Sequence, residues 1–218
     1  MTGAVDRVRF DYLRDPAAIY RRSFEMVAEA CDLAGLAPGD RPVAVRIVHS
    51  CGMPDIVADL RFSGALGEAV RDAIAAARPV VVDSRMTANA IHSAALPEGA
   101  RVVCGLDRPD VAQCAARLGT TRSAAGLHLL RAELDGAVVV VGNAPTALFA
   151  LLELMLDEGV RPAAILGFPV GFVGAAESKE ALVAHAGDVP FVTVLGRRGG
   201  SAMAGGALNG ALMGGGGA

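Results

Sequence analysis

Short apolar runs alternate with longer helix-patterned stretches along most of this chain, and that alternation limits its possible folds more than any other feature. "VADLRF" (57–62) precedes "GALGEAVRDAIAAAR"; "PVVVDS" (79–84) precedes "TANAIHSAAL"; "RVVCGL" (101–106) precedes "DVAQCAARLGTTRSAAGLHLLRAELDG". "AVVVVGN" (137–143) precedes "PTALFALLELMLDEG", "PAAILGFPV" (162–170) precedes "AAESKEALVAHAG", and "PFVTVLG" (190–196) precedes "SAMAGGALNGAL". Strands that are apolar throughout, each followed by a helix, bury both faces of a sheet. Six such alternations predict an α/β chain of three layers, with a largely parallel sheet covered by helices on both sides.

The first 52 residues differ. "DPAAIYRRSFEMVAEACDLAG" opens with an Asp15 cap and Pro16 at the first helical position, and runs to a glycine stop. "PVAVRIVHSCG" is short and aliphatic, so it reads equally as helix or strand. We therefore expect a single domain built of a helical arm (1–52), a sheet domain (53–213) and a flexible glycine tail (214–218).

Of the 218 residues 53% are hydrophobic, enough for one sizeable core. Gly136 to Leu156 approaches membrane-span length, but Asn143, Pro145, Thr146 and Glu153 interrupt it, and its β-branched first half and helix-favouring second half predict strand, turn, helix. The amino terminus carries charges where a signal peptide needs an apolar core, and the four cysteines form no CxxC pair; both fit a cytoplasmic protein with reduced thiols. Nineteen of the 20 basic residues are arginine, the side chain that grips carboxylates in a fork. A net charge of −3 with no basic run argues against nucleic acid as a partner.

In an open parallel sheet, ligands bind where strand carboxyl ends meet helix amino termini. Three such junctions are rich in glycine: "VGNAPTA" (141–147) with Asn143, "GFPVGFVGAAESK" (167–179) with Gly171, Phe172 and Gly174, and "GRRGGSAM" (196–203) with Arg197 and Ser201. Each alone fits tight packing; together they point to an anion-binding rim. None has the spacing of a dinucleotide fingerprint or a P-loop, so no nucleotide cofactor is expected. "TTRSAAG" (120–126) adds Thr121 and Arg122 within a helical pattern, where buried hydroxyls need partners.

His49 ends the aliphatic run 44–48, with Ser50 and Cys51 beside it. In a helix, positions 49 and 51 point roughly 200° apart, and in a strand they share a face without orienting geometry, so a nucleophile–base pair has little support. No second ligand stands three or four residues away, so no metal site is expected. What remains is a lone imidazole able to exchange a proton near neutral pH, although taken alone it reads better as a capping or packed histidine.

"DPAAIYRRSF", "VRIVHSCG", "TRSAAG", "VGNAPTALFALLE", "GFPVGFVGAAESK" and "GRRGGSAMAGGALN" together resemble the precorrin-8X methylmutase family of cobalamin biosynthesis over essentially the whole chain. That resemblance implies a flavodoxin-like sheet, a homodimer with active sites near the subunit boundary, and an isomerase that moves a methyl group from C-11 to C-12 of a corrinoid without metal or nucleotide. It also implies His49 as the acid–base residue and Ser23 and Arg122 as substrate contacts. The corrinoid is flat, apolar and fringed by carboxylates, so Phe168 and Phe172 are expected to line a slot, with Arg22, Arg122, Arg197 and the glycine-rich amides at its margin. A corrinoid carrier without catalytic activity is the alternative reading.

Overall fold

The computed structural model describes residues 10–214. All of the expected tail except Gly214 therefore lies outside the described residues. Ten α-helices and six strands follow one another in these residues. In chain order they are α1 (Pro16–Ala30), α2 (Arg41–Cys51), β1 (Leu60–Ser63), α3 (Leu66–Ala75), β2 (Val80–Val82), α4 (Arg85–Ala90), β3 (Val102–Cys104) and α5 (Val111–Leu118). There follow α6 (Arg122–Leu129), α7 (Arg131–Leu134), β4 (Val138–Val141), α8 (Pro145–Glu158), β5 (Ala164–Gly167), α9 (Ala175–His185), β6 (Phe191–Val194) and α10 (Ser201–Met213).

The six strands form one sheet in the order β1-β6-β5-β4-β2-β3. Five of them are parallel, and β1 pairs antiparallel with β6, Leu60 opposite Val194. Leaving out that edge, the parallel strands run 5-4-3-1-2 in their own chain order, the flavodoxin-like pattern, whose direction of winding reverses between β2 and β4. Side chains divide between two cores by strand alternation. Val80, Val82, Val138, Val140 and Leu166 face α2, α3 and α10, whereas Val81, Val139, Val141 and Ile165 face α6, α8 and α9. Among the described residues no helix is long and apolar enough to cross a membrane; the apolar stretch 136–156 is β4 and α8.

Three expectations about elements change, and one left open is decided. Only Leu60–Ser63 of "VADLRF" is strand, because a 3-10 segment occupies Pro54–Asp59. The first helix stops at Ala30, where Asp32 takes up the Ala34 N–H (3.0 Å) in a local turn that competes with the helix, well before Gly35. The ambiguous segment is helix α2. The long helical pattern 110–136 breaks into three, since Gly119 ends α5 in the left-handed region and the Thr121 hydroxyl caps α6 by accepting the Ala124 N–H (3.3 Å).

The expected arm also divides. α1 has no buried residue, although its Asp15 cap and Pro16 start are in place. α2 instead buries Val43, Ala44, Ile47 and Val48 and lies against α10, which is buried on nearly all sides. Close approach depends on glycine. A Cβ at Gly206 would stand 3.0 Å from the Arg46 carbonyl oxygen, and one at Gly210 would stand 2.8 Å from the Val43 Cα and 3.0 Å from the Pro42 carbonyl oxygen. Those contacts make the pair antiparallel, which carries the carboxyl end of α2, with His49, toward the strand carboxyl ends where α10 begins.

In an exposed helix Gly→Ala gains about 1 kcal/mol. At Gly210 the added carbon meets backbone, and overpacking of that kind costs about 1 to 3 kcal/mol. Gly210→Ala is therefore expected to lower stability in urea denaturation by up to about 2 kcal/mol, with turnover reduced because α2 shifts. A variant more stable than the parent would contradict this packing.

Candidate active site

His49 sits in the last turn of α2, and Ser23 faces it from α1. The Ser23 Oγ and His49 Nδ1 are 2.8 Å apart. A hydroxyl donates to Nδ1 of the neutral ring and accepts from Nδ1–H of the charged one, so this bond survives in both protonation states. Among the described residues Nε2 has no hydrogen-bond partner. The two residues border a mostly apolar cavity of about 550 Å³ between α1 and the end of α2, which Leu13, Ile19, Met26 and Val48 also line.

Three neighbours shape the imidazole that the sequence did not single out. Phe24 stacks on His49 with ring centroids 4.5 Å apart, Tyr20 approaches it edge-on at 6.2 Å, and the Arg46 guanidinium lies 4.6 Å from the Phe24 centroid. Tyr20, Ser23 and Phe24 stand at i, i+3 and i+4 of one helix, so a single face of "YRRSF" meets His49. That spacing was the available signal. Burial, and secondarily the positive charge of Arg46, push the His49 pKa below its ordinary 6.5. Both effects favour the neutral ring in the free protein.

Arg22 lines the same cavity but is engaged by Glu25 (3.3 Å) and Glu29 (3.4 Å). Such exposed pairs contribute little and are readily redirected to a ligand carboxylate.

The remaining expected residues fall into other places. Thr121, Arg122 and Asn143 line a second cavity of about 540 Å³, with Arg85, Leu106 and Thr146. Thr121 and Thr146 share a hydrogen bond (2.7 Å), and among the described residues no carboxylate pairs with Arg122. Phe172 is 83% exposed, with the Arg197 guanidinium 5.4 Å from its ring centroid. The Gly171 N–H donates to the Arg197 carbonyl (3.2 Å), and Gly174 starts α9 in the left-handed region, so the loops after β5 and β6 are joined. Lys179 reinforces that join: it is fully buried, its Nζ donates to the Arg198 carbonyl (2.5 Å), and burial lowers its pKa to about 8. Arg198 in turn pairs with Asp55 and Asp59 (2.9 Å to the latter), in the segment that follows His49.

Three expectations fail. Ser201 is buried, its hydroxyl 3.1 Å from that of Thr87, and it is the first helical residue of α10, so it belongs to an internal network and not to a rim. Phe168 is wholly enclosed in the core and cannot line a slot. The amides of the "VGNAPTA" junction are not free for a ligand, because the Asp83 carboxylate accepts from Gly142, Asn143 and Ala144 N–H at 2.7 to 2.9 Å.

Arg46→Met removes the secondary cause of the His49 shift and leaves burial in place. Its His49 pKa, followed by NMR titration of the ring protons, is expected to rise toward 6.5 without reaching it. An unmoved value would show that Arg46 is too well solvated to matter.

Comparison with known proteins places this geometry in context. The model of the family described as precorrin-8X methylmutase matches residues 18–213. The precorrin-8X methylmutase of Pseudomonas aeruginosa is 54% identical over 200 residues, covering 91% of this chain and 96% of that one. The cobalt-precorrin-8 methylmutase of Methanocaldococcus jannaschii is 36% identical over 167 residues, with 77% of this chain and 76% of that one aligned. Among solved structures, the precorrin-8X methylmutase of Thermus thermophilus superposes with a TM-score of 0.80 at 38% identity, covering 90% of this chain and 94% of that chain.

Proposed function

Because the chain belongs to the precorrin-8X methylmutase family and is an isomerase of cobalamin biosynthesis, we propose that His49 is the group through which it drives methyl migration on its corrinoid substrate. In that reaction the bond from C-11 to the migrating methyl breaks and a bond to C-12 forms, while the conjugated double bonds shift to compensate. No atom is gained or lost. A proton from His49 on a ring nitrogen or its conjugated imine makes the π system more electron-poor and eases the suprafacial shift, and it returns to the imidazole once the product has formed. The 2.8 Å contact between Ser23 and His49 is the observation that carries this reading, since it fixes the ring in either protonation state at the edge of an apolar cavity.

The depressed pKa of His49 suits an acid that must give up its proton. The substrate's carboxylates bring negative charge to the cavity and favour the imidazolium, so proton uptake accompanies binding. Arg22 at one cavity, Arg122 with Thr121 and Asn143 at the other, and Arg197 on its loop supply the positive and hydrogen-bonding margin. Phe172 supplies an exposed apolar face. The metal-free pigment is the better candidate substrate, because the relative at 54% identity bears its name whereas the one at 36% bears the cobalt form's.

The active unit in this reading is a homodimer. α1 carries the exposed Ile19, Tyr20 and Met26, and Phe10, Tyr12 and Leu13 precede it, an apolar surface that a second copy would cover. The His49 cavity of one copy and the Arg122 cavity of its partner would then together hold one macrocycle.

Loss of a single general acid typically costs about 10² to 10⁴ in rate. His49→Ala is expected to lower kcat by that factor with pigment affinity largely kept, as followed by the visible spectrum of precorrin-8X; full turnover in the variant would remove His49 from the chemistry. Mixing His49→Ala with Arg122→Ala subunits tests the shared site. If one site draws on both copies, hybrids regain one intact site and the mixture recovers up to about a quarter of wild-type activity, as two-fold symmetry requires. A site confined to one chain leaves the mixture no more active than the average of the two variants assayed apart.

A further inference from the structure

The reversal between β2 and β4 is where sheets of this strand order ordinarily hold the charged end of a ligand, against the amides that open the following helix. Here that crevice is filled from within. Asp83, the residue after β2, is 2% exposed. Its Oδ1 accepts from the Gly142 N–H (2.9 Å) and its Oδ2 from the N–H groups of Asn143 (2.9 Å) and Ala144 (2.7 Å). The Thr87 hydroxyl donates a fourth bond to Oδ1 (2.9 Å) and leaves its own lone pairs for the hydroxyls of Ser84 (2.9 Å) and Ser201 (3.1 Å). Donors from the β4–α8 turn, from α4 and, through Thr87, from the start of α10 thus converge on one carboxylate. Space is closed as well, since a Cβ at Gly142 would meet the Thr87 Oγ1 at 2.6 Å and the Ser201 Cα at 2.8 Å.

We propose that Asp83 is a positioning residue, a built-in anion that occupies the crevice where related folds bind an external one and so holds the β4–α8 turn in its working shape. The same turn presents Asn143, Pro145 and Thr146 to the cavity that contains Arg122. Asp83 touches no ligand. It fixes the backbone on which part of the carboxylate-binding margin stands, and it denies the turn's amides to phosphate-bearing molecules. The effect on substrate rests on the reading of that cavity as part of the corrinoid site. Because His49 and Ser23 are carried by α2 and α1, disturbing the turn weakens binding more than it slows the chemical step.

The test is Asp83→Ala in the full-length enzyme, assayed with precorrin-8X in sodium formate, whose small carboxylate fits the vacated space, and in sodium chloride at equal ionic strength. In chloride KM is expected to rise by about 10-fold or more, the loss that follows when charge-assisted hydrogen bonds go unmade, with kcat within about 3-fold of wild type. Formate should lower KM again and raise the melting temperature, neither of which occurs with chloride or in the wild type. Asp83→Asn, which keeps the volume and one acceptor, should give a smaller rise in KM and no response to formate. A folded Asp83→Ala with unchanged KM overturns the proposal, as does a raised KM that formate does not reverse. Should Asp83→Ala fold only in formate, the proposal is supported; failure to fold in either salt, together with an unchanged KM in Asp83→Asn, overturns it. Arg122→Ala assayed in parallel separates the two ideas. An unchanged KM there brings down the reading of the cavity, whereas a raised KM beside a formate-insensitive Asp83→Ala brings down the role of Asp83 alone.

Discussion

The contact between α2 and α10 determines where the imidazole can be. Two helices ordinarily pack 8 to 10 Å apart, with side chains between them. Here Gly206 and Gly210 remove the side chains from one partner, so the backbone of α10 lies directly against residues 42 to 50. Glycine within a helix weakens it by about 1 kcal/mol relative to alanine. The burial of Val43, Ala44, Ile47 and Val48 offsets that loss and leaves His49 as the first side chain beyond the core. α1 then needs only to bring Ser23 and Phe24 over the imidazole, which it does without burying a residue of its own.

Much of this architecture was legible in the sequence because it follows from local periodicity. Apolar runs such as 138–141 and 164–167 can be nothing but interior strands once helices flank them, and the Asp15–Pro16 start of α1 is readable from residue chemistry alone. The direction of β1 was not readable. Leu60–Ser63 is an edge strand with one buried residue, and pairing with β6 is decided by a partner more than 120 residues away. Breaks within 110–136 were missed for a different reason, since Gly119 and Thr121 are a helix stop and a helix start that fall inside an otherwise continuous apolar pattern.

The site was legible in part. His49 was visible as a titratable group at the end of an aliphatic run, but only the family motifs gave it, Ser23 and Arg122 candidate roles. Glycine-rich junctions were harder to interpret. A glycine that frees amides for a ligand and a glycine that admits a neighbouring helix look alike in a sequence, and Gly142 is of the second kind, pressed against Thr87 and Ser201. Ser201 misled for the same reason: a polar residue at a helix start suggests a rim, yet its hydroxyl serves an internal carboxylate through Thr87. Arg46 and Phe24 lie inside the quoted motifs, but their influence on the imidazole comes from through-space proximity that the folded chain displays.

The enclosure of Lys179 reaches beyond the loops it ties together. It is the sole lysine of the chain, and its amine is sealed against the Arg198 carbonyl. Electrophiles that seek primary amines, whether acyl donors, aldehydes or coupling reagents for immobilisation, therefore meet no reachable lysine among the described residues. Covalent labelling of Lys179 in the native protein would report that the enclosure had opened.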